Sequence, residues 1–124
     1  MGVPVLIAGA GAAGLATSAL LAKQGIRPLL VEKRREVFRY PKARNLSFRS
    51  LEILRGLGVG DEVHAVAERV SEMIAKPTLN SADERQALDI DAIFSGMAGL
   101  SPEPPAQYCP QSRLEPILLA DTRR

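Results

Sequence analysis

Residues 3–8, Val-Pro-Val-Leu-Ile-Ala, form an unbroken apolar run with β-branched members. The pattern predicts a short strand buried on both faces of a parallel sheet. After Gly9-Ala10-Gly11-Ala12-Ala13-Gly14, the segment Leu15 to Lys23 is rich in Ala and Leu and carries no charge before Lys23. It predicts a helix closed by Gly25. Ile26 to Glu32 then predicts a second buried strand, with Pro28 near its start, where a missing N–H is tolerated. Strand, helix and strand within about 30 residues match the length of one right-handed crossover unit.

Residues 33–47 are polar and irregular. From Phe48 to Arg55 the apolar positions Phe48, Leu51, Ile53 and Leu54, continued by Leu57, form a helical stripe that Gly58 can close. A second short helix is expected from Glu62 to Arg69 with Asp61 as its N-cap. Two short strands, near 71–76 and 87–91, follow, and 101–105 reads as a Pro-rich loop. A final helix is expected to start near Ser112, where Ser112 and Glu115 have capping-box spacing, with Leu114, Ile117 and Leu118 on its buried face. This helix runs into Asp121-Thr122-Arg123-Arg124 without a C-cap, and only two strands of a parallel sheet are clear. The chain is therefore expected to be the N-terminal portion of a larger α/β dinucleotide-binding domain, truncated, with no second domain present.

Composition changes this picture little. A hydrophobic share of 46% and a charged share of 24% are those of a folded globular protein. The net charge of +2 is too small, and the basic residues too scattered, for a nucleic-acid partner. Lys33-Arg34-Arg35, flanked by Glu32 and Glu36, reads as a solvated loop. Cys109 has no partner for an internal disulfide and His64 stands alone, so no metal site is expected and a reducing cytoplasm fits best. Both residues are expected to pack rather than react. The apolar start lacks a basic leader and is broken by glycines, so neither a signal peptide nor a membrane helix is expected.

The candidate chemistry lies in the first turn. Gly9, Gly11 and Gly14 form a G-x-G-x-x-G sequence between a predicted strand and a predicted helix. Glu32 ends the second strand 18 residues beyond Gly14. A lone glycine pattern is weak evidence, but this one has its full context. Gly9 permits the tight turn, Gly11 leaves room for a pyrophosphate, and Gly14 lets the helix approach the sheet. The free N–H groups of the helix start, Ala12 and Ala13 among them, and the helix dipole then stabilise phosphate. Glu32 is placed to accept hydrogen bonds from ribose hydroxyls, which disfavours a 2′-phosphate, and Lys33 directly follows it. The fingerprint alone does not separate FAD from NAD.

Two later segments do. Pro41-Lys42-Ala43-Arg44, continued through Arg49-Ser50-Leu51-Glu52-Ile53-Leu54-Arg55 to Leu57-Gly58, resembles a landmark of the group A flavoprotein aromatic hydroxylases. These are relatives of p-hydroxybenzoate hydroxylase, and the resemblance is nearest to the branch acting on phenols and aromatic polyketides. Cys109-Pro110-Gln111-Ser112-Arg113-Leu114-Glu115 resembles the family's next landmark, C-P-Q-x-x-L-E. The resemblance implies a Rossmann-like FAD-binding fold and a monooxygenase with one FAD, using NAD(P)H and O₂ to hydroxylate an activated aromatic ring. It implies that Gly9, Gly11 and Gly14 meet the pyrophosphate and Glu32 the ribose. It further implies that Lys42 or Arg44 contacts the phosphates or the flavin side, and that Gln111 reaches the ribityl and phosphate region, with Arg113 beside it. The family more often carries Arg at the position of Lys42.

The family's later D-G and G-D motifs and its substrate-covering sheet are absent from these residues. Hydroxylase activity is therefore not expected of the 124 residues alone, and an aromatic substrate is expected only where a further C-terminal region completes the pocket. Two other readings remain: a non-catalytic nucleotide-binding module, and an NAD-binding domain of a dehydrogenase, against which the 41–58 and 109–115 segments argue. Substrate, NADH or NADPH preference and oligomeric state are not encoded here.

Overall fold

The structure, a computed structural model, describes residues 2–37, 40, 42–70, 72–82, 85–97, 99–103 and 107–122. Strand β1 (Leu6–Ala8), helix α1 (Ala12–Lys23) and strand β2 (Leu29–Val31) form the expected β-α-β unit. β1 and β2 pair in parallel with Leu6 opposite Leu29 and Ala8 opposite Val31. Strand β3 (Asn45–Leu46), helix α2 (Phe48–Leu57), helix α3 (Gly60–Val66) and strand β4 (Glu68–Arg69) follow. Then come strands β5 (Glu72–Ala75) and β6 (Arg85–Asp89), helix α4 (Ile90–Ser95), strand β7 (Gln107–Tyr108) and helix α5 (Gln111–Asp121). β7 lies between β3 and β4, antiparallel to both, while β5 and β6 make a separate hairpin. Mixed α/β architecture around a small parallel sheet is thus the observed class.

The core is helical. Leu15 and Ala19 of α1, Leu51, Leu54 and Leu57 of α2, Val63 of α3, and Leu114 and Leu118 of α5 bury together with Val59 and Cys109. The stripe predicted on α2 is the one that buries, and Phe48 at its start meets Phe94 of α4 edge-on, with ring centroids 5.7 Å apart. Ser47 caps α2 by accepting the Ser50 N–H, and Gly58 ends it in the left-handed region at φ 91°. Glu103 pins the 101–103 loop to this core: its buried carboxylate lies 3.0 Å from His64 Nε2 and 3.1 Å from Arg55 Nη1. The second of these is a charge contact rather than an aligned hydrogen bond. His64, expected as a surface or packing residue, is partly exposed and joined to Glu103.

Four expectations need correction. The parallel strands are not buried on both faces among the described residues: Leu6, Leu29 and Val31 are 64%, 46% and 44% exposed. One crossover helix covers one face of a two-stranded sheet and leaves the other open. Asp61 is not the cap of α3, because the helix starts one residue earlier with Val59 at the N-cap and Asp61 inside the first turn. That helix also ends at Val66, and Glu68–Arg69 leave it to pair with β7. Ser112 does not cap α5 either; Pro110 holds the N-cap position and Ser112 is the helix's second residue. The strands near 71–76 and 87–91 are present as the β5–β6 hairpin, but α4 directly after it was not anticipated. Asp89 caps α4 by accepting the Ala92 N–H at 2.9 Å. Pro41, Pro104, Pro105, Arg123 and Arg124 lie outside the described residues.

The tightest contact in the fold is at Gly14. A Cβ there would lie 2.0 Å from the Gly9 carbonyl oxygen and 3.3 Å from Ile7 Cγ2. Because the obstacle is backbone, Gly14→Ala should destabilise the protein by about 3 kcal/mol. Gly56, exposed within α2, has nothing within 4 Å of its own Cβ position. Gly56→Ala should therefore stabilise by roughly 0.5–1 kcal/mol. Urea unfolding of both variants checks the pair, and equal effects would contradict the packing assigned to Gly14.

Candidate functional site

The first turn is built by glycines doing different work. Gly9 continues the parallel pairing, donating its N–H to Val31 O at 2.7 Å, and then turns the chain at φ 113°, a left-handed conformation. Gly14 permits the crossing of α1 over that turn. Helix α1 begins at Ala12 with Gly11 as N-cap, and no side chain caps it. The first N–H groups of a helix lack intrahelical acceptors. The Leu15 N–H, bonded to Gly11 O at 2.9 Å, is the first past that region. The N–H groups of Ala12, Ala13 and Gly14 thus open α1 uncapped at the carboxyl ends of two parallel strands, where an anion gains from both the donors and the helix dipole. Ala13 is exposed and Ala12 packs partly on the core.

Glu32, one residue past β2, closes the site from the other strand. Its Oε2 accepts the Ala10 N–H at 2.8 Å, and Oε1 accepts the Arg34 N–H at 2.9 Å and Arg34 Nε at 3.1 Å. These donors hold the Glu32 carboxyl down at about 2, the Arg34 side chain contributing most and the Arg34 and Ala10 backbones next. An ionised carboxylate has about four acceptor positions, so capacity remains for a hydroxyl donor. Arg34 is in turn raised by Glu32, and the charge of Glu115 adds to that. An open groove of about 610 Å³ runs past Ala8, Gly9, Val31, Glu32, Lys33 and Arg34. A smaller cavity of about 230 Å³ lies beside it, between Ala10, Glu32, Arg34 and Glu115.

The two later motifs are distant in sequence and adjacent in space. Cys109 N–H bonds Arg44 O at 2.7 Å, and Gln111 N–H bonds Ala43 O at 2.9 Å, extending the β3–β7 pairing to the start of α5. Arg44 is exposed and its guanidinium stands 5.0 Å over the Tyr108 ring, a cation–π contact. Lys42 is exposed on the same segment. Gln111, half-buried, begins α5 and faces the glycine turn: a Cβ on Gly11 would lie 3.8 Å from Gln111 Nε2 and 3.6 Å from Glu115 Oε1.

Of the predicted residues, Gly9, Glu32 and Lys33 line the open groove, Gly11 lies against Gln111 and Glu115 of α5, Ala12 and Ala13 open α1, and Gly14 packs inward against Gly9 and Ile7. Arg44 and its neighbour Ala43 are tied to the start of α5 by backbone hydrogen bonds, and Lys42 precedes them on the same segment. Arg113 faces elsewhere, donating from Nη1 to Val66 O and Glu68 Oε1, each at 2.9 Å. Cys109 is 1% exposed, and burial pushes its thiol up, which suits packing and not nucleophilic chemistry. Sequence reasoning missed Arg34, filed with a solvated charge run, and Glu115, assigned to a helix cap. Alternating charge in Glu32-Lys33-Arg34 was the available signal for the first. For the second, the i, i+4 spacing to Gln111 was available but had no spatial reference. Among the described residues, no group of three or more His, Cys, Asp or Glu is placed to hold a metal. No helix among them is long and apolar enough to cross a membrane.

The residues fit an FAD-type dinucleotide: a cradle that a side chain on Gly11 would narrow, uncapped helix N–H groups and an ionised carboxylate at the second strand. Comparison with known proteins agrees. A family model described as an FAD binding domain matches residues 2–124. Aklavinone 12-hydroxylase RdmE of Streptomyces purpurascens is 37% identical over 98% of this chain, which covers 24% of that protein. The 2,4-dichlorophenol 6-monooxygenase of Delftia acidovorans is 30% identical over 97% of this chain, covering 21% of that protein. Among solved structures, aklavinone-11 hydroxylase in complex with FAD and aklavinone superposes with a TM-score of 0.82 at 34% identity, over 98% of this chain and 24% of that one. The flavin-dependent monooxygenase PieE with FAD and substrate gives 0.84 at 30% identity, over 98% and 22%. The chain spans about a quarter of the length of these relatives. With the match running along nearly all of it, the chain belongs to the FAD-binding domain family of the group A flavin-dependent aromatic hydroxylases.

Proposed function

We propose that this chain is the N-terminal portion of an FAD domain, contributing the adenosine and pyrophosphate half of the cofactor site. It would serve a monooxygenase that hydroxylates an aromatic or polyketide substrate with NAD(P)H and O₂. The observation that carries this reading is the hydrogen bond from Ala10 N–H to Glu32, at 2.8 Å. It ties the phosphate turn to the ribose acceptor, so one ligand can engage both. In this reading the helix N–H groups from Gly11 to Gly14 hold the pyrophosphate and Glu32 the adenosine ribose. Lys33, beside the groove, and Lys42 and Arg44, on the strand bonded to α5, supply positive charge toward the phosphates. Gln111 meets the cofactor across Gly11. The flavin, when bound, supplies the oxygen-activating redox chemistry; these residues only bind and orient it.

The aromatic substrate belongs to the protein at the length of its relatives. Relatives that include a polyketide hydroxylase and 2,4-dichlorophenol 6-monooxygenase make polyketides and phenols the classes to test first. A reducing cytoplasm is the proposed compartment, in keeping with one buried free thiol.

Titration of the full chain with FAD should quench flavin fluorescence and raise the thermal midpoint, with ADP competing. A folded chain that shows neither response would overturn the proposed cofactor role. Replacing the ribose acceptor, Glu32→Gln, should weaken FAD binding about ten-fold, since a charge-assisted hydrogen bond is lost. The same variant tests the acid behaviour. Glu32 titrates at about 2 when folded against 4.5 normally. Its contribution to stability is therefore complete above pH 4.5 and is lost as the pH falls from there to about 2. Unfolding free energies measured across that window should fall less steeply with acid in Glu32→Gln than in the unsubstituted chain.

A further inference from the structure

Glu115 is the closing residue of the C-P-Q-x-x-L-E landmark, a charged side chain to which neither the resemblance nor helix capping assigns a role. It is 2% exposed, in the second turn of α5. Burying a carboxylate is costly unless its oxygens are paired. Here one oxygen accepts a hydrogen bond from Gln111 Nε2, one helical turn earlier. That same oxygen would be 3.6 Å from a Cβ on Gly11, and Gln111 Nε2 would be 3.8 Å from it, so the pair lies against the phosphate turn. Arg34, bonded directly to Glu32, lines the same 230 Å³ cavity as Glu115 and feels its charge.

The chemistry of the pair fixes an orientation. A carboxylate only accepts hydrogen bonds, so the carboxamide nitrogen of Gln111 must face Glu115. Its carbonyl oxygen is then the end of the amide turned away from Glu115 and would be the acceptor offered to a ligand in the site. That oxygen also only accepts, and phosphate oxygens cannot donate to it. It selects for hydroxyl or N–H donors next to the pyrophosphate. With Glu32 assigned to the adenosine ribose, the remaining donors of an FAD-type ligand are the adenine amine, beyond that ribose, and the polyol and ring N–H of the flavin half, on the other side of the pyrophosphate.

We infer that Glu115 is a positioning residue: by holding the Gln111 carboxamide nitrogen, it aims the carbonyl oxygen at the flavin half of the cofactor and lets the site favour FAD over ADP. The inference rests on the FAD reading given above. Glu115 touches no ligand in this scheme; it acts through Gln111.

The isosteric variant Glu115→Gln keeps the volume and a hydrogen-bonding partner but no longer dictates which end of the Gln111 amide it meets. Binding of FAD and of ADP is measured by fluorescence and calorimetry on the full chain, with thermal melts as the fold control. The expected result is a loss of about five-fold in FAD affinity, with ADP affinity and the melting midpoint unchanged. On a Gln111→Ala background the same change should have no further effect, because the residue it positions is gone. Equal losses for FAD and ADP, an undiminished effect on the Gln111→Ala background, or no loss at all would each overturn the positioning role while leaving the FAD site standing. If the unsubstituted chain binds ADP but gains nothing from the flavin half, the positioning role also fails. If it is folded and binds neither ligand, the cofactor reading itself falls.

Discussion

The approach of helix α1 to the glycine turn is the constraint on which the nucleotide end of this fold depends. At Gly14 the helix passes so near the Gly9 carbonyl that no side chain fits between them. This closeness places the uncapped start of α1 at the carboxyl ends of β1 and β2, where a ligand meets several N–H donors at once. It also lets Ala10, inside the turn, donate to Glu32 on the second strand. A looser turn would still make a β-α-β unit, but the open N–H groups of α1 and the Glu32 carboxylate, the proposed phosphate donors and ribose acceptor, would no longer be held in register. The constraint is local in sequence, and its consequence is a site shared by two strands.

The same turn reaches α5 through Gly11. Gln111 Nε2 and Glu115 Oε1 lie where a Cβ on that glycine would meet them in ordinary van der Waals contact, and α5 also buries Leu114 and Leu118 with Leu15 and Ala19 of α1. Packing in the core thus sets the distance between the cofactor turn and the helix opposite. The backbone bonds from Cys109 and Gln111 to Arg44 and Ala43 fix where α5 begins. Two segments separated by more than sixty residues in the sequence are in this way one structural edge of the site.

What the sequence made legible follows from where the physical signal is local. Residues 3–32 announced β-α-β because strand composition, glycine spacing and an uncharged helix all agree within one short window. The α2 stripe was legible for the same reason, and its Leu51, Leu54 and Leu57 are core. The sheet β3–β7–β4 was not, since each strand is two residues long and exists only through partners far away in the chain. Asp61 and Ser112 were read as caps because their side chains suit the role. Yet each helix starts one residue before them, where Val59 and Pro110 offer no capping oxygen at all. Arg34 and Glu115 were hidden for a third reason: a charge in a polar run and a charge in a helix both look solvated until tertiary packing brings them together.

Charge is the remaining constraint on this site, because an FAD pyrophosphate brings negative charge to a region already holding two carboxylates. Glu32 and Glu115 both border the cavity beside the turn, and Arg34 answers both of them. Glu32 is held by the Arg34 side chain and two backbone N–H groups, and Glu115 by the Gln111 amide. Both acids thus keep aimed acceptor oxygens, while the single arginine offsets only part of their charge. The dipole and N–H groups of α1 supply attraction at short range, where they are least screened. In the proposed site Lys33, Lys42 and Arg44, all exposed, would act at longer range and through solvent. The division explains why the acidic residues of this site are tied into hydrogen bonds while its candidate phosphate-facing cations stay at the surface: an acceptor must be aimed to be selective, whereas a cation needs only to be near.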